Sequence, residues 1–262
     1  MFCNQCEQTA KGLACTVKGV CGKTSDVADL QDLLMHVVRG LAHFAKEGRK
    51  VGIVDGETDR FVLKAIFATL TNVNFDPARF QELIEGCVRR REELKDKLEK
   101  AGGKVEFEDP AASFKLAETV PELIEQGQQV GQVWNGKLDE DRQSVQQILV
   151  FGLRGMAAYA DHAAILGQED QRIYDFLYLA LAALVKPDLS LADWVAMALK
   201  CGEINFLALE LLDQANTGAY GHPIPTKVPL GHKKGKCILV SGHDLQDLAN
   251  LLEQIEGKDI HI

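Results

Sequence analysis

The chain opens with MFCNQCEQTAKGLACTVKGVCGK, which places Cys3, Cys6, Cys15 and Cys21 close together, while the rest of the 262 residues holds Cys87, Cys201 and Cys237. A C-x2-C-x8-C-x5-C pattern can close disulfides, hold a zinc ion or hold an iron–sulfur cluster. Disulfides belong to oxidising compartments. The first twenty residues are polar and rich in Gly and Cys, without the apolar core of a secretory signal, so the chain is expected to work in the cytoplasm with reduced thiols. Structural zinc usually sits between two C-x2-C knuckles, and one such pair is present here. A four-iron, four-sulfur cluster needs four thiolates around a larger cube, and a compact segment of uneven spacing suits it. The spacing favours iron–sulfur over zinc and leaves zinc open.

Two further features of this segment bear on that choice. Gly12, Gly19 and Gly22 let backbone amides approach sulfur closely, which tunes a cluster through hydrogen bonds. Lys11, Lys18 and Lys23 outweigh Glu7, a local positive excess in a chain of net charge −9. Such an excess would offset the negative charge of four thiolates, although any one of these lysines could equally belong to a solvated loop. The overall acidity, with no basic stripe interleaved with aromatics, argues against nucleic acid as a partner. No apolar run is long enough for a membrane span. Cys87, Cys201 and Cys237 lie in separate elements and read as buried thiols.

The elements that position these thiols are helical. Val27, Leu30, Leu33, Leu34, Val37, Val38 and Leu41 recur at helical spacing, with Ser25 as the N-cap and Gly48 as the stop. Helices follow in DRFVLKAIFATLTNV and, after Asp76-Pro77, up to Gly102-Gly103. Residues 30–45 align without a gap on 145–160, matching Arg39-Gly40 to Arg154-Gly155. The order then repeats, through an apolar helix, an Asp/Pro turn and a third helix. Glycine inside a helix costs about 1 kcal/mol relative to alanine, so its recurrence at one phase predicts that both first helices pack closely on a neighbour. Residues 103–140 read as a connector. The pattern predicts a mainly α protein: a Cys-rich segment over 1–24, two tandem three-helix bundles over 25–216, a Gly/Pro linker over 217–235, and over 236–262 the truncated start of a Rossmann-like α/β domain. One and a half strands cannot cover a parallel sheet, so the chain reads as incomplete, with an edge over 225–262 that is expected to be mobile or aggregation-prone.

Among the histidines, His36, His43 and His162 sit on first helices, where packed or surface roles are the default. His243 differs. It follows the strand at 237–240, where α/β sheets build ligand sites, while Asp244 as an ordinary helix cap is the simpler account of the turn.

The cysteine segment, LQDLL, the repeated Arg-Gly helices, LLDQANTGAYGHPIPTKV and SGHDLQDLANLLEQIEGK together resemble the hybrid cluster proteins, also called prismane proteins or hydroxylamine reductases, over the whole chain. The resemblance implies two three-helix bundles followed by Rossmann-like domains. It implies that Cys3, Cys6, Cys15 and Cys21 hold a [4Fe-4S] cubane, and that His243 is the first ligand of a hybrid [4Fe-2O-2S] cluster whose other ligands come from a following half of similar length. It further implies reduction of hydroxylamine or nitric oxide, a redox protein as electron donor, and no catalysis by this chain alone. The competing class is a self-contained electron-transfer or zinc-binding helical module.

Overall fold

Six α-helices among the described residues start after a residue whose side chain accepts from a free N–H group of the first turn. In the computed structural model, which describes residues 1–131, 138–186, 188–242 and 245–262, α1 (Ser25–Lys50) is capped by Thr24, α2 (Gly56–Ala68) by Asp55 and α3 (Pro77–Lys100) by Asp76. Beyond α4 (Val120–Gly131), the second set repeats the pattern. Asp139 caps α5 (Glu140–Ile165), Asp170 caps α6 (Gln171–Ala183), and Ser190 forms a capping box with Asp193 on α7 (Leu191–Tyr220). The chain closes with β1 (Lys236–Cys237), α8 (Leu245–Ile255) and β2 (Ile260–His261).

The two sets match in length and phase. Their first helices each have 26 residues and their second helices 13, and each Arg-Gly pair falls at the same positions in its helix. Packing is crossed between the sets: α1 lies on α3 and α5 on α7, but α2 packs mainly on α5 and α6 on α1. One core of Leu30, Leu34, Leu41, Ile66, Leu153, Tyr178 and Trp194 therefore spans both sets. At the crossing, Arg49 of α1 binds Asp59 of α2 through both carboxylate oxygens at 2.8 and 2.9 Å. Tyr178 of α6 donates to the same carboxylate at 2.9 Å, and Arg49 stands 4.6 Å over its ring.

Several expectations change. Thr24, not Ser25, caps α1, and the helix runs through Gly48 to Lys50, since the left-handed residue that turns the chain away is Gly52 (φ 79°) and not Gly48. The supposed connector contains α4. It lies on α1 so closely that a Cβ at Gly127 would stand 2.1 Å from the Asp29 carbonyl oxygen, and one at Gly131 would stand 2.7 Å from Asp32 Oδ2. Gly40 likewise abuts the backbone of Ala111, but among the described residues no atom outside its own helix backbone lies within 4 Å of the Gly155 Cβ site, so the close-packing expectation holds for one copy and fails for the other. Helix α7 reaches Tyr220 and ends at Gly221 (φ 81°), four residues into the expected linker. Strand pairing covers 236–237 instead of 237–240: Lys236 pairs with Ile260 and Cys237 with His261 in parallel, and Ile238–Val240 run on exposed. Cys87 and Cys201 are buried as expected, whereas Cys237 is exposed.

Candidate metal centre

The first 24 residues are tied to both helical sets. The Met1 amine lies 3.3 Å from Asp29 Oδ1, on α1, and Asp29 Oδ2 accepts from Gln128 Nε2 of α4 at 3.2 Å. Asn4 donates to Gln147 of α5 at 2.7 Å. Cys3 and Cys15 are paired as an antiparallel bridge, with N–H···O distances of 3.1 and 2.8 Å, so two of the four thiols are held by backbone. Between them the chain reverses through Ala10–Gly12, where Lys11 (φ 57°) and Gly12 (φ 67°) are left-handed. A second turn carries Cys21: Gly19 donates to the Lys23 carbonyl at 2.8 Å and Gly22 to the Gly19 carbonyl at 2.9 Å. A Cβ at Gly19 would stand 3.0 Å from Cys21 Sγ.

The donor chemistry suits thiolates. The Ala10 N–H points at Cys15 Sγ, 3.4 Å away. The Ala10 and Val20 amides, and then the Lys23 charge, pull the Cys15 thiol below its ordinary range against the opposing effect of burial. A sulfur that receives amide hydrogen bonds is stabilised as an anion, which is the form that binds iron or zinc. Cys15 is buried and Cys3, Cys6 and Cys21 are half-buried. Among the described residues, no three His, Cys, Asp or Glu side chains converge on one ion.

Charged groups behind the loop were not legible as site residues. Lys23 is buried, with its amine 2.7 Å from Gln31 Oε1 and 3.8 Å from Cys3 Sγ, while Lys11 and Lys18 are exposed. Arg154 is buried beside Asp32 and Cys3, and burial works against its charge while theirs favour it. Its Nε has no hydrogen-bond partner. Burial pushes the Asp32 carboxyl up to about 7 against the pull of Arg154. A cavity of about 80 Å³ is lined by Cys3, Asp32, Met35, Gln147, Phe151 and Arg154. The recurrence of Arg39-Gly40 as Arg154-Gly155 was the available signal for Arg154; nothing in the local pattern marks Lys23 as buried.

The three histidines on α1 and α5 pack against neighbouring side chains. His36 is buried against Arg39 and Phe114 and is pushed down to about 4, by burial first and Arg39 second. His43 lies 2.9 Å from Asp109, and His162 meets Phe67 edge-on. His243 and Asp244 lie outside the described residues.

The profile of the Prismane/CO dehydrogenase family matches residues 1–262, and the chain belongs to that family. It is 59% identical over 262 residues to the hydroxylamine reductase of Syntrophobacter fumaroxidans and 56% identical over 263 residues to that of Methanocella arvoryzae. It is 42% identical over 268 residues to that of Geobacter metallireducens. Each match covers all of this chain and 48 to 49% of the relative, so the chain spans about half the length of the curated relatives it matches. No helix among the described residues is long and apolar enough to cross a membrane.

Proposed function

We propose that the chain is the electron-relay half of a hydroxylamine reductase, in which Cys3, Cys6, Cys15 and Cys21 hold a [4Fe-4S] cubane and His243 supplies the first ligand of a hybrid [4Fe-2O-2S] cluster. The observation that carries the reading is the Cys3–Cys15 bridge with amides aimed at Cys15 Sγ: two ligands fixed by backbone, one of them favoured as thiolate. The names of the relatives supply the substrate class.

When bound, the cubane would supply one-electron transfer from a donor protein toward the hybrid cluster, whose chemistry would be the two-electron, two-proton reduction of hydroxylamine to ammonia and water, or the reduction of nitric oxide. The chain's own residues hold and shield that relay. Asp29 and Gln147 pin the Cys3 strand to α1 and α5. Ala10 and Val20 hold negative charge at Cys15. Gly19 leaves Cys21 Sγ the space that a side chain would occupy. A cytoplasmic setting keeps the thiols reduced and able to ligate.

Anaerobic reconstitution with iron and sulfide tests the reading. The chain should take up about four irons and develop a low-spin signal on reduction, and Cys15→Ser should lose both. Tight zinc uptake with no iron incorporation would sink it and leave a zinc-binding module. Without the other hybrid-cluster ligands, the reconstituted chain should not oxidise a reduced viologen dye with hydroxylamine above the rate of free iron–sulfide salts. Turnover abolished by His243→Ala would contradict that expectation.

A further inference from the structure

Of the three lysines in the cysteine segment, Lys11 and Lys18 are exposed and Lys23 is 1% exposed. A lysine is rarely buried without a carboxylate partner, because its ammonium loses hydration that only strong acceptors replace. Among the described residues, Lys23 has no carboxylate oxygen within ion-pair distance. Its amine meets Gln31 Oε1 at 2.7 Å and Cys3 Sγ at 3.8 Å. Gln31 is itself buried, and its Nε2 has no partner, so the amide presents its oxygen to the lysine and nothing else.

The residue touches one thiol, acts through its charge on a second, and closes the backbone turn that carries a third. Its carbonyl closes the turn around Cys21 by accepting from Gly19, its amine stands against Cys3, and its charge is felt at Cys15. The other buried cation near Cys3, Arg154, faces the Asp32 carboxyl. The Lys23 charge also acts on Asp32, but the atoms its amine touches are Gln31 Oε1 and Cys3 Sγ.

We propose that Lys23 is the positioning residue that sets the reduction potential of the group held by these four cysteines, as a fixed charge shielded from water and anchored by Gln31. The inference rests on the thiolate reading above. An added electron increases the negative charge at the thiolates. A cation within 4 Å, in surroundings where its field is weakly screened, favours the reduced form and raises the potential. Lys11 and Lys18 stand in solvent, where their effect is screened.

The test is a redox titration of the anaerobically reconstituted chain and its variants, with iron counted in each. Lys23→Met should keep the wild-type iron content and shift the reduction equilibrium at least tenfold toward the oxidised form, about 59 mV lower for one electron. Lys23→Arg should keep most of the wild-type midpoint, and Lys11→Met should barely move it. An iron-loaded Lys23→Met chain at the wild-type midpoint overturns the proposal. If Lys23→Met fails to hold iron, Lys23→Gln decides: iron at a lowered midpoint supports the proposal, and iron at the wild-type midpoint overturns it. Loss of iron in both neutral variants with retention in Lys23→Arg also overturns it, since the charge would then act on assembly. A wild-type chain that takes up no iron strikes the thiolate reading beneath, whereas an unchanged midpoint in a loaded variant strikes this inference alone.

Discussion

Arg39-Gly40 and Arg154-Gly155 occupy equivalent positions of two equally long helices, yet they meet different surroundings. Arg39 grips Asp109 with Nε at 2.8 Å and Nη2 at 3.1 Å, and Gly40 lets the turn at Ala111 lie directly on α1. Arg154 has an unpartnered Nε and looks toward Asp32 and Cys3, and Gly155 faces open space. In the first copy the pair clamps the segment after α3. In the second copy no segment among the described residues covers it, and the arginine faces the cysteine loop instead. A repeat in sequence fixes where a residue stands on its helix; the chain that lies over it fixes what the residue does.

The largest expected difference between the copies is in stability. Arg39→Met leaves a buried Asp109 carboxylate with His43 and the Ala111 N–H, and removal of one partner of a buried ion pair costs about 3–5 kcal/mol. Arg154→Met should cost at most about 1 kcal/mol near pH 6, since it breaks no such pair and Asp32 can take up a proton. Chemical denaturation of both variants decides. Equal losses would erase the contrast.

Next come the glycines. Gly40→Ala would put a Cβ 2.1 Å from a backbone oxygen and should destabilise by about 2–3 kcal/mol through overpacking. Gly155→Ala should have the opposite sign and the smallest size in the series, a gain of about 0.5–1 kcal/mol, because the helix loses a flexible residue and nothing is displaced. A loss at Gly155 would mean that its surface is covered.

Between these in size stands a pH effect. The carboxyl of Asp32 is raised in the folded chain to about 7, above the unfolded value near 4. Its stabilising effect is therefore complete below about pH 4 and is lost as pH rises through about 7. Asp109 is shifted the other way, held well below the carboxylate range by His43 and Arg39 against burial, so its contribution is complete above about pH 4 and is lost progressively as pH falls below that. Stability of Asp32→Asn should fall less steeply than wild type between about pH 4 and pH 7. Parallel curves would mean that Asp32 is ionised and paired throughout.

Much of the scaffold was legible because helices with broad apolar faces announce themselves. The phase of α1 and α5, the Asp-Pro start of α3 and the cysteine spacing all came from residue type and interval. Helix α4 was read as connector although Val120, Leu123, Ile124 and Val130 keep helical spacing and Leu123 and Val130 are buried; what the spacing did not show is the close approach to α1 at Gly127 and Gly131. The crossed packing of α2 and α6 depends on how two apolar faces choose between neighbours, which periodicity does not encode. Lys23 was legible as charge and not as burial, since its environment comes from Cys3 and Gln31, brought together only by the folded loop. Gly155 shows the reverse failure: a repeated motif promised a contact that only one copy makes.

The account rests on the claim that the N-terminal thiols hold iron, and the most direct measurement is the metal and inorganic sulfide content of the anaerobically reconstituted wild-type chain, read with its electron paramagnetic resonance spectrum before and after reduction. About four irons and four sulfides per chain, with a low-spin signal appearing on one-electron reduction, is the predicted result. Zinc in place of iron, or about two irons per chain, would contradict it.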